Sequence, residues 1–480
     1  MFKSFRAGYP PQLWVLFWGT LFSSLGLSLV WPFLTIDVRE RLDVPLTTIT
    51  LLFTLQSIAG LVATTIISPL MDRFGRKWAM MVGLLASGVS LLAMSRADTL
   101  AAWAFLLPAY AMVNTMFRIG SYAMVADTIA PDRRADVYAL LRMGDNVGIA
   151  FGPAVGGFLF GAAQSLAYVL AGSSQFILMF FVLFLLSETL IRARSGATSG
   201  ISVLPGGAAG YGPMLRDRPF LSLWGLYILI QVAASMVFIL LGLYVKENYG
   251  ITESRYGLII GTNAVMVVVL QYPITRFTQR YPPLRMIAAG ALLYAAGMGV
   301  FALSRNFGSF MLGMIVFTLG ELSLVPTATA LVANIAPADM RARYMGIFSL
   351  SFRIGAGIGP VIGGVLSDTI APVATWIGGV GVCLVAALGY PVAKYLEIRW
   401  NLAHGIDGES GIFFTVYYYL TFTHMVHAFW GILGILWVLA RHGFGIYTAD
   451  EHSGLEALAS YWHATDIIWL MIFPLFYVLR

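Results

Sequence analysis

Residues 148–157 read GIAFGPAVGG, and residues 355–364 read GAGIGPVIGG, an offset of 207 positions. In the first copy Gly148, Gly152 and Gly156 recur every four residues on one helical face, and Gly157 follows directly. Missing side chains on such a face let a neighbouring helix approach closely, and Pro153 can kink the helix that carries them. The duplication extends outward. VADTIAP (125–131) returns as VANIAP (332–337), and DRFGRKW (72–78) returns faintly as TRFTQRY (275–281). The chain therefore reads as two similar helical halves.

Composition places those helices in lipid. Of 480 residues, 59% are hydrophobic and 11% charged, and the mean hydropathy is +0.81. A soluble surface needs roughly a quarter of its residues charged, so soluble enzymes and nucleic-acid binders drop out as classes. The net charge of +6 is what basic loops beside membrane spans produce. Apolar runs long enough to cross about 30 Å of hydrocarbon as helices fall near 12–36, 47–70, 78–95, 101–126, 137–160, 166–190, 220–245, 256–275, 284–303, 308–335, 344–366 and 372–394. Two more, near 411–440 and 456–479, bring the expected number to fourteen. Barrel strands would instead give alternating segments of about ten residues.

The first run has basic residues before it but is too long for a signal peptide and lacks a small-residue cleavage site, so it is expected to stay as the first span. Cys383 is the single cysteine, so no disulfide can form within the chain. With residue 1 on the cytoplasmic side, 19 of the 29 Lys and Arg fall in segments on that side and 7 on the other. The remaining three, Arg118, Arg142 and Arg353, lie inside spans. That imbalance predicts a cytoplasmic N-terminus.

The halves are assigned to 1–190 and 219–394, joined by a Gly-rich cytoplasmic linker at 191–218, with a distinct segment at 395–480. An even number of spans in each half makes them parallel repeats related by an axis along the membrane normal. A solute site is then expected between them near mid-membrane, worked by rocking.

SPLMDRFGRK (68–77) resembles the loop signature of the major facilitator superfamily, G-x-x-x-D-R-x-G-R-R/K. Asp72, Arg73, Gly75, Arg76 and Lys77 match it, and Ser68 stands where the family has glycine. GIAFGPAVGG resembles the fifth-helix signature shared by antiporters of the superfamily. Arg118, in NTMFRIGSYAMVAD, stands where the family carries a fourth-helix arginine. The run YGLIIGTNAVMVVVLQYPITRF (256–277) is most similar to bacterial drug:proton antiporters. The resemblance covers residues 1 to about 390 and implies the twelve-helix major facilitator fold with alternating access. It also implies a latch, with Asp72 near a helix end and Arg76 reaching an acid on the fourth helix, here Asp127. The second copy has Thr275 for Asp72 and Gln279 for Arg76, so one half alone would carry the full latch. Gly148, Gly152, Pro153, Gly156 and Gly157 would seal the cavity against leak, or simply pack two helices.

Five charges fall in the middle of predicted spans of the two halves: Arg118, Arg142, Asp145, Glu321 and Arg353. An unpaired charge there costs at least about 3 kcal/mol on insertion scales, so each needs a reason. Arg142 and Asp145 are three residues apart on one helix and could neutralise each other. Glu321, in TLGELSLVP, is the acid well inside the tenth span. Carboxylates in such surroundings can load and release protons in the working pH range. Asp145 and Glu321 are therefore the proton-coupling candidates, with Arg118 and Arg142 as partners or gates, and static structural pairing is the alternative. The first span, ended at residue 36, holds no interior acid, unlike many drug antiporters. Met112 and Met116 could present two thioethers to Cu(I), but among 21 Met core packing is the favoured reading, and no metal is expected.

All six histidines, His404, His424, His427, His442, His452 and His463, lie in the last eighty residues. From about residue 394 the sequence resembles the end of subunit III of haem-copper oxidases and the related nitric-oxide-reductase accessory subunit. His424 with His427, then His452, Gly454 and Glu456, then Tyr461, Trp462, His463 and Asp466 carry the match, while Ala464 and Thr465 depart from it. That subunit binds no redox metal, so the resemblance implies that His424, His427, Glu456, His463 and Asp466 pair with one another and with lipid. In the oxidase subunit the loop between the last two helices faces the cytoplasm. Twelve spans from a cytoplasmic N-terminus would put residues 441–455 on the other side.

The sequence thus predicts an all-α membrane protein and not an enzyme, without cofactor, in a bacterial cytoplasmic membrane. It would exchange a small amphipathic organic solute for protons. The alternative is a subunit, or an assembly and copper-delivery factor, of a haem-copper respiratory oxidase, with oxidase subunits as partners through the tail.

Overall fold

A computed structural model of the chain describes residues 10–130, 133–189, 214, 216–337, 340–403 and 426; the side chains of a few residues within its helices, Asp72 among them, fall outside that description. Residues Met1–Tyr390 form one compact unit and Pro391–Arg480 a second. The predicted spans at 411–440 and 456–479, and with them His424, His427, Glu456, His463 and Asp466, lie outside the described residues, as does most of the linker.

The regular structure among the described residues is helical. Helix α1 (Pro11–Val30) passes through a 3-10 turn (Trp31–Phe33) into α2 (Leu34–Leu42). Then come α3 (Leu46–Phe74), α4 (Arg76–Met94), α5 (Leu100–Thr128), α6 (Arg134–Ala162) and α7 (Gln164–Leu185). The second half holds α8 (Arg218–Tyr249), α9 (Glu253–Thr278), α10 (Pro283–Leu303), α11 (Phe307–Ile335), α12 (Arg341–Thr369) and α13 (Ala374–Ala403). Ten spans among the described residues are long and apolar enough to cross a bilayer, with Pro11–Leu42 counted as one. The first span therefore continues past residue 36, and the expectation that it holds no acid is corrected: Asp37 is fully buried in α2.

Local chemistry sets several helix starts. Asp217 accepts a bond from the Phe220 N–H (3.1 Å) at the head of α8. Asn306 and Ser309 form a reciprocal capping box at the head of α11. Outward faces stay apolar: Phe105 is 72% exposed and Phe184 76%. Such surface is unfavourable in water and natural against acyl chains.

The duplicated glycines settle how each half packs. A Cβ on Gly148 would stand 2.5 Å from the Leu21 carbonyl oxygen, and one on Gly152 would stand 2.9 Å from the Ser28 carbonyl carbon, so α6 lies directly on α1. In the second half a Cβ on Gly355 would meet the Gln231 backbone at 2.5 Å, and one on Gly359 the Val232 backbone at 3.0 Å and the Ser235 hydroxyl. Ser28 and Ser235 are themselves 207 positions apart. The same two-helix seam is built twice.

Candidate functional site

Gly157 and Gly364 are the matching residues that follow these seams, and each faces the opposite half. A Cβ on Gly157 would stand 2.5 Å from the Glu253 carbonyl oxygen and 3.1 Å from the Gly257 Cα, both in α9. One on Gly364 would stand 2.8 Å from the Thr50 hydroxyl and 3.2 Å from the Thr47 Cα, both in α3. The antiporter-like motif thus divides between two jobs. Gly148, Gly152 and Gly156 pack α1 within their own half, and Gly157 lets the halves touch. Pro153 lies inside α6, where its carbonyl oxygen approaches Gly257.

Polar contacts across the halves gather at that end of the bundle. Arg39 pairs with Glu247 at 3.0 Å, and Lys246 pairs with both Glu40 and Glu253. Asp368, at the end of α12, accepts from the Thr47 N–H and hydroxyl, each at 2.7 Å, and from the Leu46 N–H at 3.3 Å. One half therefore supplies the N-terminal cap of a helix in the other. Behind them Asp37 accepts from Tyr168 (2.6 Å) and Arg41 (2.9 Å), so this buried carboxylate is fully engaged. Sequence reading did not find these groups, because each looks like an ordinary loop charge until the halves are brought together.

At the other end, the loop between α3 and α4 is a single residue. Gly75 has φ +106°, a conformation that L side chains rarely adopt, and a Cβ there would stand 3.0 Å from the Glu188 carboxylate carbon. That carboxylate accepts from the backbone N–H groups of Arg76 (3.0 Å) and Lys77 (3.1 Å), at the positive end of α4. Lys77 returns the contact, its ammonium donating to the Leu183 carbonyl (2.7 Å) near the end of α7. Arg76 lies 3.4 Å from Asp127 of α5, whose carboxylate also accepts from Thr189 at 2.8 Å. Arg73 is exposed, over the Phe74 ring at 5.5 Å. Glu188 was not singled out from sequence: it falls at the end of the predicted span 166–190, beyond the observed helix end at Leu185, and an acid there carries no mark of the helix it will cap.

Between these ends lie the mid-span charges. Asp145 accepts from the Ser24 hydroxyl of α1. No ion pair among the described residues joins it to Arg142, so the i, i+3 neutralisation expected from spacing is not formed. Glu321 of α11 accepts from the Asn263 amide of α9 at 2.7 Å, and the same amide donates to Thr318 at 3.0 Å. Tyr227 of α8, stacked on Phe348 at 4.4 Å, is within electrostatic reach of both Arg142 and Glu321. Arg353 of α12 crosses to the first half, its guanidinium lying against Gly60 of α3, within electrostatic reach of Arg118 of α5. Met116 packs on Gly83 of α4, as a core methionine does.

The Major Facilitator Superfamily profile matches residues 16–244 and 223–476. The chain is 26% identical over 391 residues to a Na(+), Li(+), K(+)/H(+) antiporter of Planococcus maritimus, covering 75% of this chain and 88% of that protein. It is 26% identical over 343 residues to the multidrug resistance protein MdtH of Shigella flexneri, covering 68% and 81%. In fold it is similar to the nucleoside transporter NupG, with TM-score 0.68 at 12% identity over 80% of this chain and 98% of that one. It is also similar to an inward-facing bacterial homologue of the lysosomal transporter Spinster, with TM-score 0.65 at 13% identity over 80% and 96%. Two packed halves built on a repeated glycine seam, a charged loop after the second span and a profile match over most of the length agree: the chain belongs to the major facilitator superfamily and is a multi-pass secondary transporter.

Proposed function

We propose that this transporter exchanges a small amphipathic organic solute for protons across a bacterial cytoplasmic membrane, with its N-terminus inside. The observation that carries the proton half is Glu321. It sits mid-span in α11, it accepts from the neutral amide of Asn263, and no ion pair with a described base holds it charged. A carboxylate in that position can gain and lose a proton without dismantling a salt bridge. Asp145, bonded to a serine, is the second candidate, with Arg118 and Arg142 as the basic groups that respond to its charge. On this reading the end sealed by Arg39, Lys246 and Asp368 faces outward, and the Asp72–Lys77 loop with Asp127 is the cytoplasmic latch that breaks as the halves rock.

The test uses the full chain in proteoliposomes with a pH-sensitive dye inside and an imposed pH gradient. Hydrophobic organic solutes are added in turn, with Na⁺, Li⁺ and K⁺ as separate arms. An organic solute is expected to dissipate the gradient, and Glu321→Gln to abolish that proton movement while solute counterflow persists. Unchanged proton movement in both Glu321→Gln and Asp145→Asn would defeat the site assignment. Dissipation by K⁺ or Na⁺ alone would instead give this chain the cargo named for its Planococcus relative.

A further inference from the structure

We infer that the solute presents an oxyanion, a carboxylate or a phosphate, gripped by Arg118 from one half and Arg353 from the other. The inference rests on the transport reading and narrows its substrate class. Three guanidiniums, of Arg118, Arg142 and Arg353, lie mid-span against two carboxylates, of Asp145 and Glu321. Both carboxylates already take neutral donors, Ser24 and Asn263. None of the three arginines forms an ion pair with a described acid.

Arg118 is exposed and Arg353 half-buried, and two like charges that face each other in an accessible space draw an anion between them. The planar fork of a guanidinium fits a carboxylate or phosphate two bonds at a time. The placement is deliberate in packing terms, because Arg353 reaches across the seam onto a position where α3 has no side chain, Gly60. It is also not part of the duplicated scaffold. The residues 207 positions away from Arg118 and Arg353 are Val325 and Asn146, so neither arginine has a basic counterpart. An anion held between them bridges helices α5 and α12 of opposite halves, which is where binding can bias the rocking equilibrium. A metal cation or an ammonium solute would meet this positive wall at a disadvantage.

The experiment follows thermal unfolding of the full chain in mild detergent, with matched probes. Phenylacetate and phenyl phosphate carry the oxyanion, phenethylammonium the opposite charge, and phosphatidylglycerol in mixed micelles tests a lipid headgroup. The two soluble anions are expected to raise the unfolding midpoint in a saturable way and phenethylammonium to leave it unmoved. Arg118→Gln and Arg353→Gln should each weaken that response at least tenfold, and Arg353→Lys should restore part of it, which shows that charge and not packing was lost. The inference is overturned by no response to either soluble anion, by a response to phenethylammonium alone, or by an anion response that survives the double Gln variant. It is equally overturned if phosphatidylglycerol alone stabilises through these arginines, which marks a lipid site. Anion binding through the two arginines with no solute-driven proton movement in proteoliposomes would leave this inference standing and remove the proton-coupled reading.

Discussion

Gly157 in the first half and Gly364 in the second occupy equivalent places, yet they meet different surfaces. Gly157 faces backbone, the Glu253 carbonyl and the Gly257 Cα, whereas Gly364 first meets the Thr50 hydroxyl. A similar contrast separates the loops. The first half turns on Gly75 alone, between α3 and α4, while the second ends α9 at Thr278 and starts α10 at Pro283. The packing of each half on itself repeats, and the charged and strained features do not. Symmetry here belongs to the scaffold, and asymmetry to the contacts between halves and to the strained turn.

Three sets of substitutions, five in all, test that contrast. The largest effect is expected from Gly157→Leu, because neither of its backbone neighbours can rotate away. Solute flux in proteoliposomes should fall at least tenfold, while Gly364→Ala, opposed first by a hydroxyl that can turn, should cost less than threefold. Equal losses would show that the two crossings are interchangeable.

Next in size is Gly75→Ala. Backbone at φ +106° and ψ 151° is essentially reserved for glycine, holding a residue with a Cβ there costs roughly 1–3 kcal/mol, and the new methyl also presses on the carboxylate that caps α4. The unfolding midpoint should drop clearly, whereas Thr278→Gly, at the matching place in a helix end, should cost no more than about 1 kcal/mol. A tolerant Gly75 would mean that the single-residue turn is not under strain. The smallest effect is expected for Arg39→Gln. Its pair with Glu247 is partly exposed on both sides, and such pairs contribute about 0–1 kcal/mol. The change in unfolding midpoint should be slight and should vanish in high salt; a large, salt-independent loss would promote this pair to a main element of the gate.

The helices were legible because lipid makes run length decisive, and the repeat was legible because glycines in a close seam cannot be exchanged freely for larger residues. The end of the first span was misplaced. LTIDVRERL (34–42) looks like loop, and Tyr168 coming from α7 to bond Asp37 is what allows the carboxylate to be buried. The Arg76–Asp127 approach was implied by the family resemblance, but Glu188 was not, since its value lies in a helix end contributed by another part of the chain. Arg142 and Asp145 show the limit of spacing arguments. Three residues along a helix permits contact, but a serine on the facing helix offered Asp145 a partner that sequence distance does not reveal.

Gly156 and Gly157 are neighbours in the chain, about 100° apart around α6, and each removes the side chain on a different contact, with α1 and with α9. Helix α6 therefore works as a bearing. One bare surface fixes it to its own half, and the next meets the other half through backbone and one hydroxyl, Ser254 donating to the Gly157 carbonyl at 3.2 Å. On the rocking motion proposed above, most of the resistance would come from the two ends of the bundle, from Asp368 leaving the head of α3 at one and Arg76 leaving Asp127 at the other. The turnover rate of this protein should be tuned by those end contacts while the middle of the seam stays passive.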